Sequence, residues 1–442
     1  MEQFLKVGHG IADITPETPI PLGGYGNSQH RISESVRDSL KATCIAFTDP
    51  DNTTVLLFST DEIRCVPKLC DRVKDVLCAE FDLPRENVQI SATHTHSAPG
   101  LGEIETPEME AYHEKYVAGL IEAGRKAMGN RFPAITSVGF TPTERMNFIR
   151  HYKIADGSYA GANFGNWSAG VVGHASNNDS WVQVIKFDRI GAKPVILVNF
   201  QAHPCFTGGV DKKVVSADYI GELRSYIEMK TNSKFAFFQG AAGNHNGISF
   251  YARETRTTDV VEYAHLLGDY VLRALEAPVQ LKGNKVSLVH REIDLPLDHS
   301  DSAELVAKCK EINDEWEKMA DRNHSNKRAR EIGLNSIYAV RGVLMRQTLP
   351  ESEKMDICAF RVGELGFVTA PYEMFGASGM HIKEYAPYAM TFVVSCANHA
   401  QAYLASDLAF SHGCYEVDTR RFPRGTAEKL ADEFVDMLKE IK

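Results

Sequence analysis

A buried strand and a histidine-rich loop meet in the stretch Asn87-Val88-Gln89-Ile90-Ser91-Ala92-Thr93-His94-Thr95-His96-Ser97-Ala98-Pro99-Gly100. The apolar, β-prone residues at its start predict the strand, and the loop follows directly. His94 and His96 are two residues apart, and side chains at that spacing share a face of extended backbone. Imidazole is a common zinc ligand and a proton carrier near neutral pH. The stretch therefore suggests metal or proton-transfer chemistry at the end of a strand; a chance surface pair is the alternative, and the rest of the chain has to decide between them.

Around this stretch, strand-like runs alternate with helical patterns. The apolar runs predict strands at residues 55–59, 88–91, 135–140, 181–187, 195–200, 235–238, 357–362, 367–369 and 391–395. Apolar residues at helical spacing predict helices at about 69–77, 107–128, 258–275, 303–319 and 426–441. This order predicts an α/β fold with a mixed sheet and a core of two or more layers.

The length of 442 residues is compatible with one large domain, and we predict a single domain over residues 1–442. No internal repeat or low-complexity linker divides it. The most polar segment, at about 300–352, carries the basic run Asn326-Lys327-Arg328-Ala329-Arg330. We interpret it as a solvated helical excursion over the core, and a lid over the active site is the alternative.

The net charge of −10 disfavours nucleic acid or an anionic membrane surface as a partner and leaves a small-molecule substrate as the expected one. The first residues have neither the basic head nor the apolar core of a secretory signal, and there is no run of apolar residues long enough for a membrane span. The nine cysteines are odd in number and lie mostly in apolar surroundings, which is typical of reduced thiols. We therefore expect a cytoplasmic protein without stable membrane association, and a chain of this size could form a homo-oligomer.

Polar side chains follow several of the predicted strands. Asp61, His94, His203, Glu373 and Tyr403 each stand at or just beyond a strand end. Ligands of open α/β sheets collect at the carboxyl ends of strands, so these donors could converge on a metal ion. Each has an ordinary alternative: His203 could be a core imidazole, and Glu373 could be a carboxylate at a helix N-terminus.

The same residues lie in motifs that resemble those of the neutral/alkaline, non-lysosomal ceramidases, along nearly the whole chain. The matching segments are Gly10-Ile11-Ala12-Asp13-Ile14-Thr15-Pro16 with Gly24-Tyr25-Gly26, then Thr93 to Gly100, Val198-Asn199-Phe200-Gln201-Ala202-His203-Pro204 with Ser216-Ala217-Asp218-Tyr219, Gln239-Gly240-Ala241-Ala242-Gly243-Asn244, Ala370-Pro371-Tyr372-Glu373, and Asn398-His399-Ala400-Gln401-Ala402-Tyr403. Any one motif is weak, but the ordered set is specific. It implies the multi-layer, mixed-sheet catalytic domain of the neutral ceramidases.

The resemblance also implies a site with one zinc ion. Its ligands carry over to His94, His203, Glu373 and Tyr403. Zinc accepts nitrogen and oxygen donors and activates water for attack on a carbonyl.

Around that ion the resemblance places further groups. His96 would stand beside the metal as a proton carrier or oxyanion partner, and Asp218 or Asp61 could orient a histidine from behind.

The chain departs from the family pattern in two motifs and in length. Asn246 stands at or near the place of the serine in the glycine-rich loop, and an amide cannot act as a nucleophile. We therefore expect direct attack by zinc-activated water, with Asn244, His245 or Asn246 holding the substrate or its oxyanion. The Asn-Arg pair that the family has after its fourth strand is also altered in this chain. Arg150 could take its place as a contact for an anion or carbonyl. The chain is too short for the additional C-terminal domain of the secreted ceramidases, so we expect a smaller, soluble amide substrate.

The leading hypothesis is thus a zinc-dependent hydrolase of an amide C–N bond. A metal-dependent lactone, ester or phosphoester hydrolase is the first alternative, because His96, Asp61, Asp218 and His245 could hold a second ion. The second alternative is a non-catalytic metal-binding protein with a degenerate site, because the family's serine in the glycine-rich loop is missing.

Overall fold

The computed structural model describes residues 4–26, 28–161, 170–209, 212–251, 254–399 and 402–442. Its strands are β1 (Lys6–Asp13), β2 (Ser35–Val36), β3 (Lys41–Thr48), β4 (Thr54–Thr60), β5 (Val88–Ala92), β6 (Arg131–Pro142), β7 (Phe148–Ile149), β8 (His151–Ile154), β9 (Tyr159–Gly161), β10 (Val171–His174), β11 (Trp181–Arg189), β12 (Val195–Phe200), β13 (Val214–Val215), β14 (Lys234–Gln239), β15 (His245–Asn246), β16 (Val279–Gln280), β17 (Val286–Pro296), β18 (Ser352–Val362), β19 (Leu365–Thr369), β20 (Glu373–Met374), β21 (Met390–Val394) and β22 (Tyr403–Leu404). Its helices are α1 (Pro67–Phe81), α2 (Pro107–Gly129), α3 (Asp218–Thr231), α4 (Val260–Ala274), α5 (Ala303–Met319), α6 (Arg322–Glu331), α7 (Ile337–Arg346), α8 (Gly376–Tyr385), α9 (Asp407–His412), α10 (Tyr415–Asp418) and α11 (Thr426–Glu440).

Two stacked sheets form the centre of the molecule. The larger has the strand order β14-β12-β11-β6-β1-β3-β4-β5, with β16 paired to β6, and the smaller has the order β17-β18-β19-β21. Each sheet is mixed: β4 and β5, β12 and β14, and β19 and β21 pair in parallel, and the other pairs along these two orders are antiparallel. The predicted mixed α/β fold is thus confirmed.

The core between the sheets consists of alternate residues of facing strands. Phe47 on β3 and Phe187 on β11 have ring centroids 5.6 Å apart, and Phe47 lies 5.8 Å from Phe367 of the smaller sheet. These rings belong to one buried cluster that draws side chains from both sheets. Since apolar side chains alternate along each strand, the outer faces of both sheets are also apolar and need a cover.

Helices supply that cover. One half of the large sheet packs on α1 and α2, and the other half packs on α3 and α4. The outer face of the small sheet packs on α8 and α11. Helices therefore lie on both outer sides of the sheet pair, and the carboxyl ends of the parallel strands remain free to carry loops.

The polar segment predicted at about 300–352 contains α5, α6 and α7, which share a small apolar cluster of their own. Arg346 of α7 pairs with Asp301 within the segment, with both side chains buried, and ties the segment to the rest of the chain by donating to the carbonyl of Asp418. The ring of Tyr338, also on α7, lies 5.6 Å from that of Tyr415.

Most predicted elements have counterparts in the structure, and the boundaries shift by a few residues. Among the longer elements, sequence reasoning missed β1, β3, α3 and β17, and it also missed most of the short strands. Strand β1 was not predicted because Gly8 and Gly10 interrupt its apolar pattern. All nine cysteines are free thiols, as expected for reduced side chains. Among the described helices, none has the length and apolarity that a membrane crossing requires.

Candidate metal centre

The candidate ligands all come from loops that follow strands. His94 and His96 follow β5, His203 follows β12, Glu373 follows β19, and Tyr403 comes after β21. Residues 373–374 and 403–404 then pair in parallel as β20 and β22, which places Glu373 opposite Tyr403. The strand ends thus bring together side chains that are more than 300 residues apart in the chain.

Three imidazoles and one carboxylate converge at these ends. Oε2 of Glu373 lies 3.2 Å from Nε2 of His94 and 3.2 Å from Nε2 of His203. Nε2 of His96 lies 3.4 Å from that of His94, and ligand atoms of the three histidines all lie within 4.8 Å of one another. His96, expected as a proton carrier, is therefore also within reach of an ion held by the other two.

Backbone carbonyls orient two of the rings. Nδ1 of His94 donates to the carbonyl of Ile63 at 2.7 Å, and Nδ1 of His203 donates to that of His245 at 2.9 Å. These bonds select the tautomer that leaves Nε2 of each ring with a free lone pair. Both Nε2 atoms point toward Glu373, as metal ligands must.

Asp61 and Asp218, which we expected to orient a histidine, bind elsewhere. Asp61 accepts from Arg224 at 2.7 Å and from the backbone of Lys41, and Asp218 accepts backbone N–H groups of Thr207 and Tyr219. Both carboxylates are fully buried, and they stabilise the loops behind the site. The orienting role at His94 and His203 belongs instead to main-chain carbonyls, which no side-chain motif in the sequence reveals.

Backbone strain brings His94 and His96 together. His94 has a φ of +69°, a left-handed conformation that non-glycine residues rarely adopt. The convergence therefore comes from a turn in the loop, and the expected alternation along a strand is not its cause. Gly24 provides space for the second ring, because a Cβ there would lie 2.7 Å from Nδ1 of His96.

The titratable groups of the site are one carboxylate and the three imidazoles that surround it. Burial disfavours the charged form of His94, but Glu373 and Cys396 together outweigh it and raise the pKa of His94 well above its ordinary value. Burial would raise the pKa of Glu373, but the neighbouring histidines lower it far below its usual range. Burial lowers the pKa of both His96 and His203, which keeps these rings neutral. Neutral imidazoles and an ionised carboxylate are the forms that bind a cation, so an ion that binds here displaces the proton of His94.

A buried ion pair stands next to this group. Arg150, expected as an anion or carbonyl contact, donates from Nε to Oε1 of Glu416 at 2.6 Å, and its Nη1 lies 3.5 Å from Nε2 of His203. Its guanidinium also lies 5.3 Å from the centre of the Tyr403 ring. Glu416 accepts a second hydrogen bond from His151 at 2.8 Å. Sequence reasoning missed Glu416 and His151, and neither lies in one of the matched motifs.

The glycine-rich loop supports the site through its backbone. Asn244 accepts from the backbone N–H of Gly376 at 3.0 Å, and its carbonyl accepts from the N–H of Arg150. His245 is fully buried, and Asn246 forms a backbone bridge with His203. Among the described residues that line the adjacent cavity, Asn244, His245 and Asn246 are absent. Of the motif at 398–403, Ala400 and Gln401 lie outside the described residues.

A cavity of about 570 Å³ opens onto His94, His96, Glu373 and Tyr403. Its lining includes a hydrogen-bonded polar set: Arg64 pairs with Glu103 at 2.7 Å, and Glu103 also accepts from the hydroxyl of Ser28 and from the backbone of Gly24. These charged and hydroxyl groups line the same cavity as the imidazoles of His94 and His96.

The donor set fits a zinc ion. Oε2 of Glu373 is buried and makes no hydrogen bond of proper geometry within the described ranges, although two ring nitrogens lie near it. A buried carboxylate oxygen that lacks a hydrogen bond destabilises the folded protein unless a cation compensates its charge. Nitrogen and oxygen donors of this kind are those that zinc prefers.

Comparison with known proteins gives the class of fold. The crystal structure of the neutral ceramidase from Pseudomonas aeruginosa matches with a TM-score of 0.74 at 16% identity, over 100% of this chain and 75% of that chain. A ceramidase complexed with C2 matches with a TM-score of 0.73 at 16% identity, over 100% of this chain and 76% of that one. No sequence-family profile matches the chain, and no curated protein does. The chain therefore has the neutral ceramidase fold, as its motifs predicted.

Proposed function

We propose that this protein is a zinc-dependent hydrolase that cleaves an amide C–N bond. The observation that carries the proposal is the convergence of Nε2 of His94 and Nε2 of His203 on one oxygen of Glu373, at 3.2 Å each. Together with Tyr403 these side chains would hold a single zinc ion. The neutral ceramidase fold supports amide chemistry, because ceramidases are amide hydrolases.

When bound, zinc supplies a Lewis acid for the substrate carbonyl and lowers the pKa of water. The residues of the chain supply binding and proton transfer. His96, neutral and beside His94, accepts a proton as water adds to the carbonyl carbon. It then delivers that proton to the leaving nitrogen as the C–N bond breaks, which yields a carboxylic acid and an amine. Arg150, held by Glu416, presents positive charge to the developing oxyanion.

The polar wall of the cavity favours a small polar acyl amide as substrate. Arg64, Glu103 and Ser28 form a hydrogen-bonded set in the lining of the cavity that also contains His94 and His96. A long alkyl chain would desolvate these groups without satisfying their hydrogen bonds, which costs free energy. A substrate with hydroxyl, amide or carboxylate groups could replace the lost water contacts.

The test combines metal content with hydrolysis. Wild-type protein loaded with zinc is compared with His94→Ala and His203→Ala by elemental analysis, by amine release from a short polar N-acyl amine and from a long-chain ceramide, and by alcohol release from a matched ester. We expect each variant to lose one equivalent of zinc and to lose its amide hydrolysis activity. We also expect the short polar amide to have the highest kcat/KM.

His290→Ala is the matched control, because this histidine is exposed and pairs with Asp356 on the small sheet. It should retain both metal and activity. Full zinc occupancy in both His94→Ala and His203→Ala would refute the ligand assignment. Hydrolysis of the ester without any of the amides would refute amide cleavage.

A further inference from the structure

A second group of metal-binding side chains lies beyond Arg150. His151 begins β8, His412 ends α9, and Cys414 follows two residues later, just before α10. One ligand atom from each of the three lies within 4.8 Å of the others. None of the three belongs to the donor set of the first centre. Three potential ligands from separate elements thus meet at one point.

His412 points to a ligand at that place. Both of its ring nitrogens are buried and have no hydrogen-bond partner in the part of the chain that the structure describes. Its ring stacks on Tyr159 at a centroid distance of 4.6 Å and lies 5.6 Å from the ring of His151. Two buried ring nitrogens without a hydrogen-bond partner are destabilising unless another group binds them.

His151 is held as metal-bound histidines are held. Its Nε2 lies 2.8 Å from Oε2 of Glu416, and both side chains are almost completely buried. A carboxylate on one ring nitrogen fixes the orientation of an imidazole and increases the basicity of the other nitrogen. With Nε2 bound to Glu416, Nδ1 is the atom that remains for an ion.

Cys414 completes the group with a buried sulfur that is 1% exposed. Thiolate and imidazole together select a borderline-soft cation, and zinc is the common ion for nitrogen and sulfur donors. We propose that His151, His412 and Cys414 form a second zinc site, separate from the centre at His94, His203 and Glu373.

The two sites share a positioning residue. Glu416 binds His151 through Oε2 and Arg150 through Oε1. Arg150 in turn lies 3.5 Å from Nε2 of His203. An ion on His151 would hold Glu416 in place and through it the guanidinium beside the first centre. The second site thus has a structural role and contacts no substrate.

Cobalt is the probe that separates the two sites, because a thiolate ligand gives Co²⁺ an intense near-ultraviolet charge-transfer band that nitrogen and oxygen ligands do not give. Purified full-length apoprotein is titrated with CoCl2 under reducing conditions, as wild type, Cys414→Ala and His412→Ala. We expect the band in wild type, its loss in Cys414→Ala and a weaker, shifted band in His412→Ala. Absence of the band in wild type would overturn the proposal.

Two cysteine controls test the assignment of the sulfur. Cys309 is buried within the α5–α7 excursion, and the Sγ of Cys396 lies 3.7 Å from Nδ1 of His94. Cys309→Ala and Cys396→Ala should both keep the charge-transfer band. A band that disappears in Cys396→Ala and persists in Cys414→Ala would overturn the proposal and place the thiolate at the first centre.

Zinc stoichiometry distinguishes failure of this proposal from failure of the proposed function. We expect two equivalents in wild type, one in Cys414→Ala, one in His94→Ala and none in the double variant. Two equivalents in Cys414→Ala would overturn the second site and leave the first intact. If wild type binds only one equivalent and His94→Ala binds none, the second site is likewise overturned and the first stays intact. If Cys414→Ala fails to fold, the cobalt spectrum and zinc content of wild type still decide.

Discussion

At the scale of single residues, the site depends on charges that are buried in pairs. Arg150 and Glu416 have side chains that are 7% and 1% exposed, and their closest atoms are 2.5 Å apart. Neither charge has bulk water around it, so each relies on the other and on His151 or His203. Breaking such a pair on one side leaves an uncompensated charge.

We expect Glu416→Gln to lower the free energy of unfolding by roughly 3–5 kcal/mol, because it leaves the Arg150 guanidinium buried without a counter-ion. Urea denaturation with EDTA present measures this effect without bound metal. Asp407→Asn is the control, because it breaks a pair with Arg424 whose side chains are about half exposed. It should cost much less than Glu416→Gln, because water screens an exposed ion pair. Equal stability of the two variants would contradict the argument.

Asp418 should make the stability depend on pH. Burial raises the pKa of this carboxyl to about 7, against an ordinary value of 3.8. Between these two values the folded protein holds a proton that the unfolded chain has released, so this residue makes stability fall as pH rises through that window.

We therefore expect Asp418→Asn, which cannot ionise, to lose less stability than wild type between about pH 4 and about pH 8. Chemical denaturation across that range measures the difference. Asp407→Asn again serves as control, because a hydrogen bond with Arg424 lowers the pKa of Asp407 and its removal should not flatten the curve. Parallel curves for wild type and Asp418→Asn would show that this carboxyl does not titrate as stated.

At the scale of elements, helix α2 lies directly against strand β1. A Cβ at Gly10 would be 2.0 Å from the carbonyl oxygen of Ala123, and one at Gly8 would be 2.0 Å from that of Ala127. The backbone of the helix therefore touches the backbone of the strand, and only glycine permits this distance. The same contact explains why the strand was invisible in the hydrophobic pattern.

We expect Gly10→Ala to reduce the free energy of unfolding by about 1–3 kcal/mol, because the helix must shift to admit the methyl group. Thermal and urea denaturation measure the loss. Gly129→Ala, at the last residue of α2, meets no atom within 4 Å and should be neutral or stabilising by less than about 1 kcal/mol. The opposite ranking of the two variants would contradict the close contact.

At the scale of the whole molecule, the first centre joins both sheets. His94 and His203 follow strands of the large sheet, and Glu373 follows a strand of the small one. An ion that binds all three stabilises the folded state and not the unfolded chain, in which the donors are far apart.

We expect zinc at about a hundred times its dissociation constant to add about 2.7 kcal/mol to the free energy of unfolding, and EDTA to remove that gain. The Cys414→Ala background confines the effect to the first centre, and differential scanning calorimetry measures it as a rise in Tm. His94→Ala in the same background should show no rise. A rise of equal size in that variant would show that zinc binds elsewhere.

Patterns that are local in the chain could be read without the structure. The spacing of apolar residues predicted α5 with both ends correct and β12 with both ends correct, because amphipathic periodicity depends only on near neighbours. Strand β1 and the carbonyls that orient His94 and His203 could not be predicted, since they depend on contacts with distant backbone.

The sequence by itself determined the residue types at the strand ends and the alternation of strands and helices, because both follow from side-chain chemistry and periodicity. Only the tertiary structure decided that Glu373 meets two Nε2 atoms, that Asp61 and Asp218 bind other partners, and that His151, His412 and Cys414 meet. The physical reason is distance along the chain: these contacts form when sheet stacking and loop turns bring remote segments together, and no local pattern encodes that closure.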